Sequence, residues 1–319
     1  MPRFDAAVPK TSGPLRRPLL RLPLGMADFA RRGFRTDRPR ARALLEAHAR
    51  SFLTGFNIGS VNWRDPHPPL AAIAEEERGF AYEGAGMFVR LKDIATLGRA
   101  GALDTLLAGQ GDGYIHLVHV GAGWSFAVPR IWLPVPIPRT PLLRWLALDG
   151  AGFADTFFGG LQRLRRRCRG QVGPVAEATI AGRGRALWFV ESADPDGVAA
   201  VIASVPEAAR PALWSGVGLA CAYAGAVDDA GRSLLADLAG PHLPHLAQGI
   251  AFAAGARFRA GVVPEYTRLA CDQIVGVGVE QLSEWTDETA DGLDTDPGIA
   301  AYLTWRTRLR ELLAPIVSS

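Results

Sequence analysis

The chain has no long uninterrupted apolar run, few cysteines and almost no lysine. Its apolar stretches are broken by Gly, Pro, Arg or Asp well before the roughly 18 residues that a membrane-spanning helix needs. The three cysteines are widely spaced and form no C-x-x-C pair, which indicates reduced thiols rather than a disulfide framework. The first residues do not contain the apolar segment that a secretory signal carries. These absences predict a cytoplasmic protein without a membrane span.

Positive charge is concentrated at the beginning of the sequence. Residues 1–50 contain twelve basic and four acidic residues, although the formal net charge of the whole chain is only +3. The segment 14–25 alternates Arg, Leu and Pro and cannot form one uninterrupted helix. We therefore interpret residues 1–39 as a basic arm that lies on the body of the protein or on a partner. No aromatic residues interleave with this charge in a basic face, so we expect no nucleic-acid partner.

Most of the remaining sequence has the spacing of amphipathic helices. Residues 40–56 place their apolar side chains on one face. Asp194-Pro195 suits a helix start, and the segment 229–240 ends on a glycine of the kind that terminates helices. Residues 296–313 form a long amphipathic segment, and no run of alternating β-branched residues with hairpin turns is present. The sequence therefore predicts an all-α fold.

Two distant stretches of the sequence resemble each other. HLVHVGAGWSFA (116–127) and HLPHLAQGIAFA (242–253) are identical at six of their twelve positions. Upstream of each lies a Gly-x-Gly, at residues 84–86 and 216–218. We predict two pseudo-equivalent helical halves, residues 40–160 and 175–313, joined by a basic connector at 161–174. Chance similarity between Ala/Gly-rich helices is the alternative.

Glycine recurs inside these predicted helices, where each one costs about 1 kcal/mol relative to alanine. Neither Gly-x-Gly has a strand before it or a third glycine at the dinucleotide-binding spacing, so a phosphate loop is not indicated. A close approach of crossing helix backbones, where a Cβ would collide, explains the glycines better. We predict that Gly123 and Gly249 mark the closest contacts of their helices with a neighbour.

Four of the six histidines form two His-x-x-His pairs, His116 with His119 and His242 with His245. Residues three apart on a helix share a face, and imidazole binds Zn, Cu or Fe. Against a four-histidine metal site, Pro244 begins the second helix and no Glu-x-x-His pattern is present. We therefore predict no metal and no other cofactor. Core or capping histidines are one alternative, and acid–base catalysis or substrate contact is the other.

Glu83 and Asp149 are isolated carboxylates in apolar helical segments. Such a carboxylate is either paired with an arginine or has a raised pKa, and Arg183, Arg185 and Arg257 are candidate partners. A structural ion pair and a general acid–base group both fit this setting. Our candidate catalytic residues are Glu83, His116, His119 and Asp149. The candidate substrate-binding residues, which would line an apolar cavity between the halves, are Trp124, Phe153, Arg185, Trp188, Trp214, Tyr223, Gln248 and Arg257.

Seven motifs carry a resemblance to a known family: RGFAYEGAGM (78–87), HLVHVGAGW (116–124), LALDGAGF (146–153), GRGRALWF (182–189), LWSGVGLACAYAGA (213–226), QGIAFAAGAR (248–257) and YLTWR (302–306). Together they resemble the domain-of-unknown-function family found in enediyne polyketide gene clusters, whose members are often called enediyne biosynthesis proteins. The resemblance covers roughly residues 40–313. Ala154 stands where that family often has a histidine, so any chemistry that depends on this imidazole would be altered.

The resemblance implies a cytoplasmic bacterial protein of antibiotic biosynthesis that helps to build or tailor a polyene or polyyne intermediate. It also implies other proteins of the pathway as partners. It supplies no reaction type, and no Gly-x-Ser-x-Gly or catalytic triad spacing is present. We therefore keep two functions open. The first is a tailoring enzyme with an apolar cavity, and the alternative is a non-catalytic binding or chaperone protein that shields a reactive polyene.

Overall fold

A computed structural model describes residues 20–127, 137–170 and 173–318. All regular secondary structure in these ranges is helical, which confirms the predicted all-α fold. No helix within them is long and apolar enough to cross a membrane. The α-helices are α1 (Phe29–Arg32), α2 (Pro39–Asn62), α3 (His67–Ala71), α4 (Glu75–Ala95), α5 (Ala102–Leu107), α6 (Ile115–Trp124), α7 (Leu146–Arg169), α8 (Pro174–Val190), α9 (Pro195–Ala203), α10 (Arg210–Ala224), α11 (Asp229–Ala239), α12 (Leu243–Arg259), α13 (Glu265–Ala270), α14 (Val279–Glu288) and α15 (Ile299–Val317).

The helix ends follow local sequence signals. The Asp194 carboxylate caps α9 by accepting a 2.8 Å hydrogen bond from the backbone N–H of Gly197. Helix α11 ends at Gly240, whose positive φ of 49° suits a residue without a Cβ. Helix α7 is kinked at Gly160, with φ 66° and ψ −173°. The predicted basic connector begins directly after this kink, and it is helical as far as Arg169.

Seven helices form a stack in which each packs against the next, in the order α2, α4, α6, α7, α8, α10 and α12. At each of these crossings two glycines face the opposite backbone. A Cβ on Gly123 would lie 1.9 Å from the Ala147 carbonyl oxygen, and a Cβ on Gly150 would lie 1.9 Å from that of Val120. The reciprocal pairs along the stack are Gly55–Gly84, Gly86–Gly121, Gly123–Gly150, Gly152–Gly182, Gly184–Gly216 and Gly218–Gly249.

The five middle helices of the stack each use a Gly-x-Gly in the same way. The first glycine contacts the preceding helix, and the second contacts the following helix. The residue directly before the first glycine and the residue directly after the second are four positions apart, so they share one helix face. In α7 these are Asp149 and Phe153, and in α8 they are Ala181 and Arg185. One face of every middle helix is therefore fixed in orientation by its two crossings.

Both histidine-containing stretches lie mainly in helices, since His119 and its counterpart His245 belong to α6 and α12. His242, the counterpart of His116, lies in the 3₁₀ turn directly before α12. The prediction that Gly123 and Gly249 mark close backbone contacts is confirmed, because a Cβ on either glycine would lie 1.9 Å from a carbonyl oxygen of the neighbouring helix. The unit that the glycines repeat is a single helix with its connection. The division into two superposable halves stays a prediction.

The described part of the N-terminal arm lies on the helical body. The backbone N–H and C=O of Leu22 both pair with the Asn57 side chain of α2, each at 2.9 Å. Phe29 is fully buried, and its N–H donates to the Glu46 carboxylate. Residues 1–19 of the arm lie outside the described residues, as do residues 128–136, which contain three prolines.

At the other end of the stack, α14 and α15 cover α12. A Cβ on Gly255 of α12 would lie 2.7 Å from the Thr286 hydroxyl oxygen of α14. The indole N–H of Trp305 in α15 donates to the Thr286 carbonyl at 2.7 Å. These contacts bring α15 against the interior of the protein.

We expect Gly123→Ala to lower the free energy of unfolding by about 1–3 kcal/mol or more, because its Cβ would collide with the rigid backbone of α7. Gly170→Ala is the matched control, since a Cβ there meets no atom within 4 Å. Urea denaturation of both variants measures the difference. Equal stability of the two variants would contradict the packing role of the glycines.

Candidate functional site

The fixed faces of the stacked helices line an interior cavity of about 220 Å³, here called the main cavity. Residues from both predicted halves line it. His116 and Val120 of α6 are four residues apart, as are Leu219 and Tyr223 of α10, so each pair belongs to one face. The remaining wall is Leu117, Leu146, Asp149, Arg185, Phe252, Ala253, Gly255, Ala256, Phe258, Arg259, Ser283, Glu284, Thr286, Asp287, Tyr302, Trp305 and Arg306.

A second, smaller cavity of about 40 Å³ lies on the other side of Arg185 and is called the aromatic cavity. Arg185 lines both cavities, so its side chain is part of the wall between them. Leu22 and Met26 of the arm close one side of the aromatic cavity. Its rings are Phe52, Phe80, Trp124, Phe153, Phe157, Phe158 and Phe189.

Three charged residues form a buried ion cluster at this wall. Arg185 makes a direct ion pair with Asp149 through Nη1, and its Nη2 lies 3.6 Å from Oε1 of Glu83. The indole N–H of Trp124 donates to the same Glu83 oxygen at 3.0 Å. Each of the three charged residues is less than 7% exposed. Of the three arginines considered as partners, Arg185 therefore serves both carboxylates.

Burial raises the pKa of Glu83, because it disfavours the charged carboxylate more than Arg185 and Trp124 stabilise it. Burial alone would lower the pKa of Arg185, but the two carboxylates outweigh it, and the pKa is raised. The arginine therefore stays charged, with Asp149 as its closest partner. Glu83 therefore takes up a proton more readily than an ordinary glutamate does.

The histidines of the first His-x-x-His pair have different surroundings. His116 lines the main cavity, and burial, with the nearby positive charge of Arg259, lowers its pKa to about 4. Its imidazole is therefore neutral at pH 7, and its Nδ1 has no hydrogen-bond partner among the described residues. His119 is fully buried and its Nδ1 pairs with the Ile115 carbonyl at 2.8 Å. Only His116 has access to the cavity.

His242 and His245, the second pair, line neither cavity, and their ring centroids are 6.3 Å apart. Among the described residues, no group of three or more His, Cys, Asp or Glu side chains is arranged to hold a metal ion.

Four of the predicted substrate-binding residues line neither cavity: Trp188, Trp214, Gln248 and Arg257. The Trp188 indole donates to the Gly225 carbonyl within the core. The Arg257 guanidinium donates to the carbonyls of Glu76 and Tyr223 and so connects α12 with α4 and α10. The structure places these residues in helix packing, whereas Trp124, Phe153, Arg185 and Tyr223 have access to a cavity.

Sequence reasoning missed Tyr302 and Arg306, which α15 contributes to the main cavity. Arg306 is 4% exposed, and its Nη1 lies 3.4 Å from the Tyr302 hydroxyl. The two residues are four positions apart on one helix face, within the YLTWR motif, and this spacing was the available signal. Gln248 supports α15 by donating from Nε2 to the Arg306 carbonyl at 2.5 Å.

Fold and site together define a class of protein: a stack of helices with glycine crossings that encloses an apolar cavity with ionisable groups in its wall. Residues 11–313 match the family described as "Protein of unknown function (DUF1702)", and the chain belongs to that family. No curated protein and no solved structure matches the chain significantly. The resemblance to a family of unknown function is therefore confirmed.

The ion cluster predicts a large loss of stability when Asp149 is replaced and a small change when Glu83 is replaced. Asp149→Asn leaves Arg185 without its closest partner, and we expect a loss of about 3–5 kcal/mol in unfolding free energy. Glu83→Gln keeps an acceptor for Trp124, and we expect a change below about 1 kcal/mol near pH 5. Urea denaturation between pH 5 and pH 8 compares both variants with the unaltered protein.

The pH dependence follows from the raised pKa of Glu83. A group whose pKa is raised on folding contributes stability below its ordinary value of 4.5, and this contribution is lost as the pH rises through the folded-state pKa. The unfolding free energy of the Glu83→Gln variant should therefore increase relative to that of the unaltered protein between pH 5 and pH 8. If the unfolding free energy of the variant minus that of the unaltered protein falls over this range, the assignment of Glu83 is contradicted.

Proposed function

We propose that the protein is a cytoplasmic biosynthetic tailoring protein that acts on a polyene or polyyne polyketide intermediate, in a pathway of the enediyne type. The main cavity is the observation that supports this proposal most. Its wall is largely aromatic and aliphatic, and it also contains the ionisable side chains of His116, Asp149 and Arg185. Such a combination of apolar surface with a few polar groups is typical of small-molecule sites.

The cavity has room for part of a flat conjugated chain, and it opens at the surface beside the exposed Phe258, Arg259 and Glu284, where a longer chain can extend. An apolar cavity of about 150 Å³ binds benzene, and the main cavity has about 220 Å³. Tyr223, Phe252 and Trp305 present rings to it, and rings attract a planar π-system through dispersion and stacking. The aromatic cavity beyond Arg185 adds further ring surface close to the same site.

Proton transfer is the chemistry that these side chains support. His116 is neutral at pH 7, and its pKa of about 4 makes it a weak base in the free protein. A negative charge on a bound ligand raises the pKa of a nearby imidazole and so brings His116 toward the working range of a general base. Removal of a proton from a carbon next to a conjugated system, and its return to another carbon of that system, shifts the double bonds. The step needs no oxidant or reductant, since the proton removed is balanced by the proton returned.

The second candidate function is non-catalytic binding, in which the protein shields a reactive polyene. The pairing within the ion cluster favours it, because Asp149 is held by Arg185, and Glu83 accepts from Trp124. Both carboxylates of the ion cluster are therefore engaged with protein groups, as in a structural rather than a catalytic cluster.

A conjugated tetraenoic acid such as parinaric acid tests the first candidate. We expect the protein to bind it with increased fluorescence and to change its absorption spectrum over time as double bonds move. His116→Asn should reduce this rate roughly 100-fold or more while binding persists, since general acid–base groups contribute about 10²–10⁴-fold. His242→Asn is the matched control, because His242 lies outside both cavities.

Each outcome of this experiment has a defined meaning. Binding with full recovery of the unchanged acid supports the shielding function and contradicts the tailoring function. Failure to bind any conjugated acid or ester contradicts both. Disruption of the gene in its host, followed by metabolite profiling, tests the pathway, and unchanged polyketide products would contradict it.

A further inference from the structure

Arg306 is a buried cation in the wall of the main cavity without a hydrogen-bonded carboxylate in the described structure. Its Nη2 lies 3.2 Å from the Ser215 hydroxyl, and its Nη1 lies 3.4 Å from that of Tyr302. Its Nε is enclosed by protein and makes no hydrogen bond. The nearest carboxylate oxygen, on Glu177, is 3.7 Å away, and the Glu177 side chain is 41% exposed.

Arg185, on the same wall, is paired very differently. It has Asp149 in direct contact and Glu83 at 3.6 Å, and both carboxylates are buried with it. A buried charge costs free energy unless it is paired and hydrogen-bonded. Burial alone would lower the pKa of Arg306, but Tyr302, Glu177 and Asp149 keep it raised. This buried arginine therefore stays charged, although no carboxylate of the described residues hydrogen-bonds to it.

Arg259, Glu284 and Asp287 lie at the exposed rim of the cavity, and the buried ionisable groups of its wall leave one excess positive charge. Asp149 and Arg185 balance each other, and His116 is neutral at pH 7. The raised pKa of Glu83 favours its uncharged form. Arg306 therefore remains the cation whose partner is incomplete, and a ligand with one negative charge would complete it.

We infer that the main cavity binds its ligand as a carboxylate, with the headgroup on Arg306 and Tyr302 and the conjugated chain along the apolar wall. Guanidinium and carboxylate groups form short, charge-assisted hydrogen bonds, and the two Nη atoms of Arg306 supply the donors. The substrate class is thus a conjugated carboxylic acid rather than a neutral hydrocarbon. This inference rests on the proposed binding of a polyene in the main cavity.

A matched pair of probes tests it: parinaric acid and its methyl ester, titrated at pH 8 by fluorescence. We expect the acid to bind about ten- to hundredfold more tightly than the ester, as hydrogen bonds to charged groups are worth about 1.5–3 kcal/mol. Arg306→Gln should remove this preference and leave the affinity for the ester within about threefold.

Arg310→Gln is the control, because Arg310 lies one turn further along α15, outside the cavity, and also interacts with Glu177. It should retain the preference, which would exclude a general effect of charge. If Arg306→Gln does not fold, Tyr302→Phe removes a single hydroxyl donor and should reduce the preference several-fold. The ratio of the two affinities is measured on one protein sample, so partial unfolding cancels.

Equal affinity of the unaltered protein for acid and ester would overturn the carboxylate inference and leave the proposed polyene binding intact. A preference that survives Arg306→Gln would also overturn it. Absence of binding for both probes would instead contradict the proposed function itself.

Discussion

The contact of helix backbones at the glycine crossings is the constraint on which the rest of the structure depends. At six successive crossings a Cβ on either helix would lie within 2.6 Å of a carbonyl oxygen of the other. Helices this close have no room to rotate about their own axes, because any other residue in place of the glycines would separate them. The cost of glycine inside a helix, about 1 kcal/mol each, is offset by dense packing along the whole stack.

This fixed rotation explains why ionisable groups occur inside an apolar protein. Glu83 and Asp149 each stand directly before a crossing glycine, and Arg185 stands directly after one. The three side chains therefore project into the interior from three different helices and meet at the wall between the two cavities. Their burial follows from their register in the stack, and so does the raised pKa of Glu83.

Sequence reasoning predicted the features that depend on local signals. The helix starts and ends follow capping residues such as Asp194, and the role of Gly123 follows from the penalty of glycine in a helix. The partner of Glu83 was not predictable among three arginines, because it depends on how successive helices are rotated. Arg306 was missed because its spacing from Tyr302 indicates only a shared helix face, whereas the contact of α15 with the cavity depends on the packing of distant parts of the chain.

The crossings also determine where the chain tolerates a change in length. The glycines that contact the preceding helix, from Gly84 to Gly249, are 29 to 37 residues apart, so the length of the connections varies. The spacing within each Gly-x-Gly is constant. One residue inserted between the two glycines would turn the second crossing by about 100° around the helix axis. We therefore expect the chain to tolerate insertions and deletions in the connections, where they leave the register of the cavity lining unchanged.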